Sequence, residues 1–154
     1  MKTIQGNLLQ LAEAGEFDVI VQGCNCFCTM GSGLAKTIHD QYPQAYFADL
    51  ETTRGDVKKL GTYTSADAES FIIVNAYTQF EYNSIRDKKD VFKYEAFKSV
   101  LEKLAKDFAG FRIGFPLIGC GLAGGDKDKV VAMLEEFSNT VAVDGGSATL
   151  VEYK

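Results

Sequence analysis

The sequence has no excess of positive charge, only one histidine and no long apolar run, and each absence excludes a class of protein. Its 16 lysines and arginines stand against 21 aspartates and glutamates, which gives a net charge of −5 at pH 7. A general nucleic-acid-binding protein needs a basic surface to neutralise phosphates. The lysine pairs at 58–59 and 88–89 are too short to form one, so we expect both pairs to be solvated on the surface. No apolar run approaches the ~20 residues that span a bilayer.

Length and composition predict one globular domain that spans residues 1–154. The chain is long enough to bury a hydrophobic core, and contents of 46% hydrophobic and 24% charged residues are ordinary for a soluble protein. Gly6 interrupts the N-terminus before the apolar core of a signal peptide could form. We therefore expect a cytoplasmic location and no contact with a membrane.

The cysteines raise the question of a metal site. Cys24, Cys26 and Cys28 alternate with other residues, and Cys120 lies far along the chain. Structural zinc sites usually pair cysteines two to four residues apart, and His39 has no partner at ligand spacing. On a strand Cys24 and Cys26 would share one face, so a metal is geometrically possible. Free cysteine otherwise behaves as a small buried hydrophobe. We expect that second role, with neither a bound metal nor a cofactor.

Strands and helices alternate along most of the chain. This order is typical of a three-layer α/β/α fold with a mixed, mostly parallel central sheet. A polar segment at 79–90, which contains aromatic residues, is expected to form a functional loop. Strands are predicted at 3–5, 17–24, 60–65, 71–77, 111–116 and 148–153, and helices at 8–14, 33–41, 43–52, 91–108 and 127–137.

Two glycine-rich turns, at 22–35 and 117–125, each follow a predicted buried strand and precede a predicted helix. Ligands of such sheets bind at the carboxyl ends of the strands, so both turns are expected to face one ligand. Backbone N–H groups of two such turns could hold a diphosphate without lysine or arginine. Neither turn has the phosphate-binding lysine motif G-x-x-x-x-G-K-[ST], and the dinucleotide pattern fits the first turn poorly.

At these turns the chain resembles a macro domain. The resemblance spans almost the whole sequence, and it is closest to the branch with ADP-ribose-1″-phosphate phosphatases and terminal ADP-ribose protein glycohydrolases. The motifs that carry it are Gly6-Asn7-Leu8, Gln22-Gly23-Cys24-Asn25-Cys26, Met30-Gly31-Ser32-Gly33-Leu34-Ala35, Phe115-Pro116-Leu117-Ile118-Gly119-Cys120-Gly121-Leu122 and, near the last strand, Met133-Leu134-Glu135-Glu136-Phe137.

The resemblance implies ADP-ribose as the ligand and gives its contacts. Asn7 stands where the family recognises the adenine amino group, and Asn25 stands beside the distal ribose. The segment 30–34 is expected to wrap the distal ribose and diphosphate, and the segment 118–123 to face the diphosphate. The full expected set is Asn7, Leu8, Gln22, Cys24, Asn25, Met30, Gly31, Ser32, Gly33, Leu34, Pro116, Ile118, Gly119, Cys120, Gly121, Leu122 and Ala123.

The chain departs from the family pattern at the positions that carry chemistry. The phosphatase branch has a histidine where this chain has Gln22, and glutamine is not a general base. The glycohydrolases use a lysine and an aspartate where this chain has Thr78 and Ala123, so a lysine adduct is not expected.

Two residues are left as candidates for catalysis. Asn25 could orient a water, and it could equally satisfy backbone groups at the strand end. Asp126 could act as a base, although it also stands where it would cap the following helix. His39 is expected on the surface of a helix.

We therefore expect an ADP-ribose-binding macro domain that acts as a phosphatase on ADP-ribose-1″-phosphate. Two alternatives stay open: a hydrolase that removes ADP-ribose from modified macromolecules, and a module that binds ADP-ribose without turnover. The partners expected are ADP-ribose or its 1″-phosphate, and an ADP-ribosylated protein or nucleic acid in the hydrolase case. The chain is expected to be a monomer.

Overall fold

The computed structural model describes residues 1–31, 33–81, 91–121 and 123–153. The predicted loop at 79–90 therefore lies outside the described residues from 82 onward. The strands are β1 (Lys2–Gly6), β2 (Val19–Cys24), β3 (Tyr63–Asp67), β4 (Ile72–Tyr77), β5 (Arg112–Phe115) and β6 (Ser147–Tyr153). The helices are α1 (Leu8–Glu13), α2 (Gly33–Gln41), α3 (Pro43–Leu50), α4 (Tyr94–Asp107) and α5 (Lys127–Ala142), with a 3-10 turn at Val57–Lys59.

The six strands form one sheet in the order β1-β6-β5-β2-β4-β3. Only the β3–β4 pair is antiparallel, because these two strands follow each other directly along the chain. Helical crossovers join the parallel strands, as parallel pairing requires. The predicted mixed, mostly parallel sheet is confirmed.

Each face of the sheet packs against its own set of helices. Val19 and Val21 of β2 point toward α4 and α5, in a cluster with Phe97 and Leu134. Ile20 points the other way, into a cluster with residues of α1, α2 and α3. The alternation of side chains along a strand produces this division. It also places Gln22 and Cys24 on the same face of the sheet as Ile20.

Several predicted boundaries differ from the structure, by three residues or more at the end of α5 and at the starts of β3 and α4, which begins at Tyr94 rather than at residue 91. Helix α5 runs to Ala142 rather than ending at residue 137, because no glycine occurs before Gly145 and Val141 is fully buried. Strand β3 begins at Tyr63 rather than at residue 60. Gly61, with φ of +85°, turns the chain before the strand. Among the described residues, none of the helices is both long and apolar enough to cross a bilayer.

The prediction that Lys58 and Lys59 form a solvated pair is wrong for Lys59. Its side chain is only 7% exposed, and its ammonium lies 3.8 Å from the carboxylate of Asp49, which is 1% exposed. The ammonium also donates a hydrogen bond of 3.2 Å to the carbonyl of Cys26, and it lies 4.6 Å from the centre of the Tyr77 ring. A lysine can be buried in this way because a carboxylate, a carbonyl and an aromatic face surround it.

Replacement of Lys59 by methionine should reduce the free energy of unfolding by about 3–5 kcal/mol, because the substitution leaves Asp49 as a buried carboxylate without its ion-pair partner. Chemical denaturation of the purified variant measures the loss. The matched control is Lys58→Met, since Lys58 is exposed and the same substitution there should change stability by less than about 0.5 kcal/mol. Equal stabilities of the two variants would contradict the role given to Lys59.

Candidate functional site

The carboxyl ends of β2 and β5 bring the two glycine-rich turns to opposite sides of one cavity. Its volume is about 780 Å³, within the range of small-molecule sites. The first turn, residues 25–35, leads from β2 into α2, and the second, residues 116–125, leads from β5 toward α5. The cavity is lined by Gln22, Gly23, Cys24, Asn25, Thr29, Gly31, Gly33, Leu34, Ala35, Gln79, Pro116, Leu117, Ile118, Gly119, Gly121 and Ala123.

Asn25 organises the first turn. Its Nδ2 donates to the carbonyl of Thr29 at 3.1 Å and to the Thr29 hydroxyl at 2.8 Å, while its Oδ1 accepts from the N–H of Phe27 at 2.8 Å. Both amide hydrogens are therefore used inside the turn. One lone pair of Oδ1 is left for a ligand, since an amide oxygen has two. Asn25 lines the cavity, as predicted, and it also closes the turn.

Cys26 attaches this turn to two neighbouring segments. Its carbonyl accepts from the N–H of Gly55 at 2.6 Å and its own N–H donates to the carbonyl of Phe80 at 3.0 Å. The Lys59 ammonium bonds the same carbonyl. Cys28, the next cysteine, has φ of 57°. The first turn is thus held from outside the cavity by backbone groups and by the buried ion pair.

The second turn is closed by glycines that have no room for a side chain. Gly119 has φ of +76°, and a Cβ there would overlap the Phe92 ring. The N–H of Gly125 donates to the carbonyl of Gly119 at 2.6 Å, and Ala123 accepts from the N–H groups of both Val91 and Phe92. The residues just before α4 therefore hold the second turn in place through these hydrogen bonds.

Among the described residues, none that lines the cavity carries a charged side chain. Burial raises the pKa of the Cys24 thiol well above its usual range, so this group stays a neutral thiol. The partial positive charge at the N-terminus of α2 faces the cavity through Gly33, Leu34 and Ala35. N–H groups of a first helical turn have no partner inside the helix, so this arrangement suits an anion held by the backbone.

Some predicted contact residues lie away from this cavity. Asn7 caps α1, its Oδ1 accepting from the N–H of Gln10 at 3.0 Å, and Leu8 is buried in the α1 core. Met30 and Cys120 belong to the two turns but do not line the cavity. Asp126 caps α5, its Oδ1 accepting from the N–H of Asp128 at 2.9 Å. Ser32 and Leu122 are outside the described residues.

The cavity also has lining residues that sequence reasoning missed. They are Gly23, Thr29, Ala35, Gln79 and Leu117. Thr29 and Ala35 lie in the first turn, Leu117 lies in the second, and Gly23 lies near the end of β2 just before the first turn. The two glycine-rich stretches of the sequence were therefore a sufficient signal for these four. Gln79 follows β4 and gave no such signal. His39 lies on α2 as expected, 41% exposed and beside Asp40.

Two polar atoms under the cavity have no hydrogen-bond partner within the described part of the chain. They are Oε1 of Gln22 and Oγ1 of Thr78. Gln22 is 2% exposed and Thr78 is fully buried. Thr78 packs beneath Gly23, where an added Cβ would lie 3.2 Å from its hydroxyl. Buried polar atoms in native proteins rarely lack partners, so such atoms point to a water or a ligand group.

A second cavity, of about 510 Å³, lies at the opposite edge of the sheet. Asp18, Asp67 and Glu69 line it, and these carboxylates would repel an anionic ligand. In the part of the chain that the structure describes, no three metal-ligating side chains cluster in space. Cys24, Cys26 and Cys28 are buried, as expected of small hydrophobes.

Comparison with known proteins identifies the fold independently of the site. The family model described as Macro domain matches residues 21–134. A curated relative is 31% identical, with 93% of both chains covered; it is the uncharacterized 17.5 kDa protein in the tk-vs intergenic region of Enterobacteria phage T4.

Solved structures with less than 25% identity share the same fold. The macrodomain of Mycobacterium tuberculosis DarG superimposes with a TM-score of 0.75 at 19% identity, over 98% of each chain. Thermosipho africanus DarTG in complex with ADP-ribose gives a TM-score of 0.72 at 14% identity, over 100% of this chain and 42% of that one.

Gly119→Ala should destabilise the protein by several kcal/mol, because the new methyl group overlaps the Phe92 ring and the positive φ strains any L side chain. Thermal unfolding followed by circular dichroism measures the change. Gly121→Ala is the matched control in the same turn, since a Cβ there meets no atom within 4 Å. If Gly119→Ala melts at the temperature of Gly121→Ala, the close packing described for the second turn is wrong.

Proposed function

The chain belongs to the macro domain family, and from that premise we propose that its cavity binds ADP-ribose. The observation that carries the proposal is the pair of glycine-rich turns on opposite sides of one cavity whose described lining residues carry no charge. An ADP-ribose diphosphate carries two negative charges, and backbone N–H groups can bind it where no cationic side chain is present.

We expect the two turns to position the ligand. Its diphosphate lies between the N-terminus of α2 and the second turn, at residues 118–123. Its distal ribose lies over Asn25, where the remaining lone pair of Oδ1 accepts a hydroxyl hydrogen. The adenine end extends toward β1, where Asn7 was expected to contact it. Because one lone pair of Asn7 Oδ1 accepts the hydrogen bond that caps α1, the adenine amino group would donate to the second lone pair of the same oxygen.

Turnover is a separate part of the proposal. Removal of the 1″-phosphate from ADP-ribose-1″-phosphate is the reaction that the sequence favours, with a water oriented by Asn25. Among the described residues that line the cavity, none is a carboxylate, an imidazole or an amine. Release of ADP-ribose from a modified protein or nucleic acid would likewise have to proceed without an acidic or basic side chain among these residues. Binding of ADP-ribose is therefore the primary function that we propose. We also propose that the protein is monomeric and cytoplasmic.

Titration calorimetry with ADP-ribose should show one site per chain with a dissociation constant in the micromolar range. Gly31→Leu should weaken binding at least tenfold, because Gly31 lines the cavity and an added Cβ meets no protein atom within 4 Å, so that the leucine side chain would compete with the ligand for the cavity. The control is Ala132→Leu on the exposed side of α5. Absence of heat at millimolar ADP-ribose would contradict the proposal.

Phosphate release from ADP-ribose-1″-phosphate tests turnover directly. Asn25→Ala should abolish release, because the variant lacks both the water-orienting oxygen and the bonds that close the first turn. A colorimetric phosphate assay at saturating substrate measures the rate, and circular dichroism checks the fold. If Asn25→Ala releases phosphate at the wild-type rate, Asn25 has no catalytic role; if the wild type releases none, the protein is a binding module toward this compound.

A further inference from the structure

Gln22 lies on the strand beneath the first turn, and its carboxamide is only half satisfied. Nε2 donates to Oδ1 of Asn75 at 2.9 Å, whereas Oε1 has no partner among the described residues. The residue is 2% exposed and lines the cavity. Leaving a buried carbonyl oxygen unpaired is unfavourable, so this oxygen indicates a partner that the described residues do not supply.

The orientation of this amide is fixed by its neighbours. Asn75 donates from Nδ2 to the backbone carbonyl of Ala45 at 2.9 Å and to the hydroxyl of Thr64 at 3.0 Å. A backbone carbonyl can only accept, so Nδ2 of Asn75 must face Ala45 and Oδ1 must face Gln22. Gln22 therefore has to present its N–H₂ group to Asn75, and its oxygen is left as a pure acceptor.

From Asn75 the hydrogen bonds continue in the same donor-to-acceptor direction, away from the cavity, to the buried carboxylate of Asp49. The hydroxyl of Thr64 lies 3.0 Å from that of Tyr77, and Tyr77 donates to the Asp49 carboxylate at 2.7 Å. Burial raises the pKa of Tyr77, so its hydroxyl keeps the proton that it donates. Thr64 then donates to Tyr77, and every hydrogen bond from Gln22 onward points toward Asp49. Bonds aligned in one direction polarise one another.

We propose that Gln22 is a specificity-determining residue whose Oε1 accepts a hydrogen bond directly from the 1″-hydroxyl of the distal ribose and thereby disfavours a phosphate on that oxygen. The inference rests on the proposed binding of ADP-ribose, with the distal ribose over Asn25, next to Gln22. Because it predicts weak binding of the 1″-phosphate, it favours ADP-ribose binding over the phosphatase reaction. A ribose hydroxyl has a hydrogen to donate. A phosphate ester that is ionised at neutral pH presents only acceptors, and the fixed amide cannot turn over to donate to it.

Met30 lies beside the other polar atom of the Gln22 carboxamide. Its Sδ atom lies 3.9 Å from Nε2 of Gln22, and Met30 is 5% exposed and packs with Cys24 and Tyr77. A thioether has no hydrogen to donate, so Met30 cannot pair with Oε1.

The test combines three protein variants with three ligands. Affinities for ADP-ribose, ADP and ADP-ribose-1″-phosphate are measured by calorimetry on the wild type and on Gln22→Met, which keeps the length of the side chain but removes the acceptor. ADP lacks the distal ribose and serves as the control ligand. A second variant, Thr64→Val, interrupts the chain at a half-buried position without touching the cavity. Thr140→Val, on exposed α5, is its matched control.

We expect the wild type to bind ADP-ribose at least tenfold more tightly than ADP-ribose-1″-phosphate. Gln22→Met should lose about tenfold in affinity for ADP-ribose, stay within twofold for ADP, and narrow the gap between the two ribose ligands. Thr64→Val should narrow the same gap by a smaller factor, and Thr140→Val should leave it unchanged.

Three results would overturn the inference. Equal affinity of the wild type for ADP-ribose and its 1″-phosphate would do so, and this result does not depend on whether Gln22→Met folds. Equal losses of ADP-ribose and ADP in Gln22→Met would show a structural role only. Unchanged ADP-ribose affinity in that variant would show no contact. In each case the wild type still binds ADP-ribose, so the proposed function stands; no binding of ADP-ribose would overturn both.

Discussion

The buried ion pair between Asp49 and Lys59 is the constraint on which the candidate site depends. Burial raises the pKa of the Asp49 carboxyl, and the hydroxyl of Tyr77 and the ammonium of Lys59 oppose that rise. The pair joins α3 and the 3-10 turn at Val57–Lys59 to the end of β4. Since Lys59 also bonds the carbonyl of Cys26, the charge balance of the interior and the position of the first turn are set by the same side chain.

Burying an ion pair is expensive, and it rarely adds to stability when compared with well-packed apolar residues. Here the buried ion pair determines the direction of the hydrogen bonds that end on it. A carboxylate can only accept, so Tyr77 must donate to it, and the groups behind Tyr77 follow in turn. An apolar cluster in the same place could pack the sheet against α3, but it would remove the acceptor to which Tyr77 donates. The ion pair thus sets the direction of the hydrogen bonds from Thr64 to Asp49, while the carbonyl of Ala45 sets the orientation of the Asn75 and Gln22 amides beside the cavity.

Elements and turns were predictable from local pattern, because strand alternation, helical periodicity and glycine positions are local properties. The dense run that became β2 and the glycines that became the two turns are examples. Lys59 was not predictable, because nothing adjacent to it in sequence shows that Asp49, ten residues earlier, is buried opposite it. The same holds for Asn25 and Asn7: residue type indicated hydrogen bonding, but only the fold shows that their groups are largely used inside a turn and a helix cap.

The described residues that line the cavity carry no charge, and this is consistent with the proposal that an acidic chain, with net charge −5, binds an anion through its backbone. A lysine or arginine side chain could attract a phosphate group from many positions around it, because the attraction between two charges depends little on their orientation. Backbone N–H groups of a fixed turn act only along their own axes, so affinity requires that the two turns keep their separation. The closely packed glycines of the second turn and the hydrogen bonds to the backbone N–H and carbonyl of Cys26 keep the two turns at a fixed separation. Recognition by such groups depends on geometry rather than on charge, and a single amide of fixed direction at Gln22 can then decide which end group of the ligand is accepted.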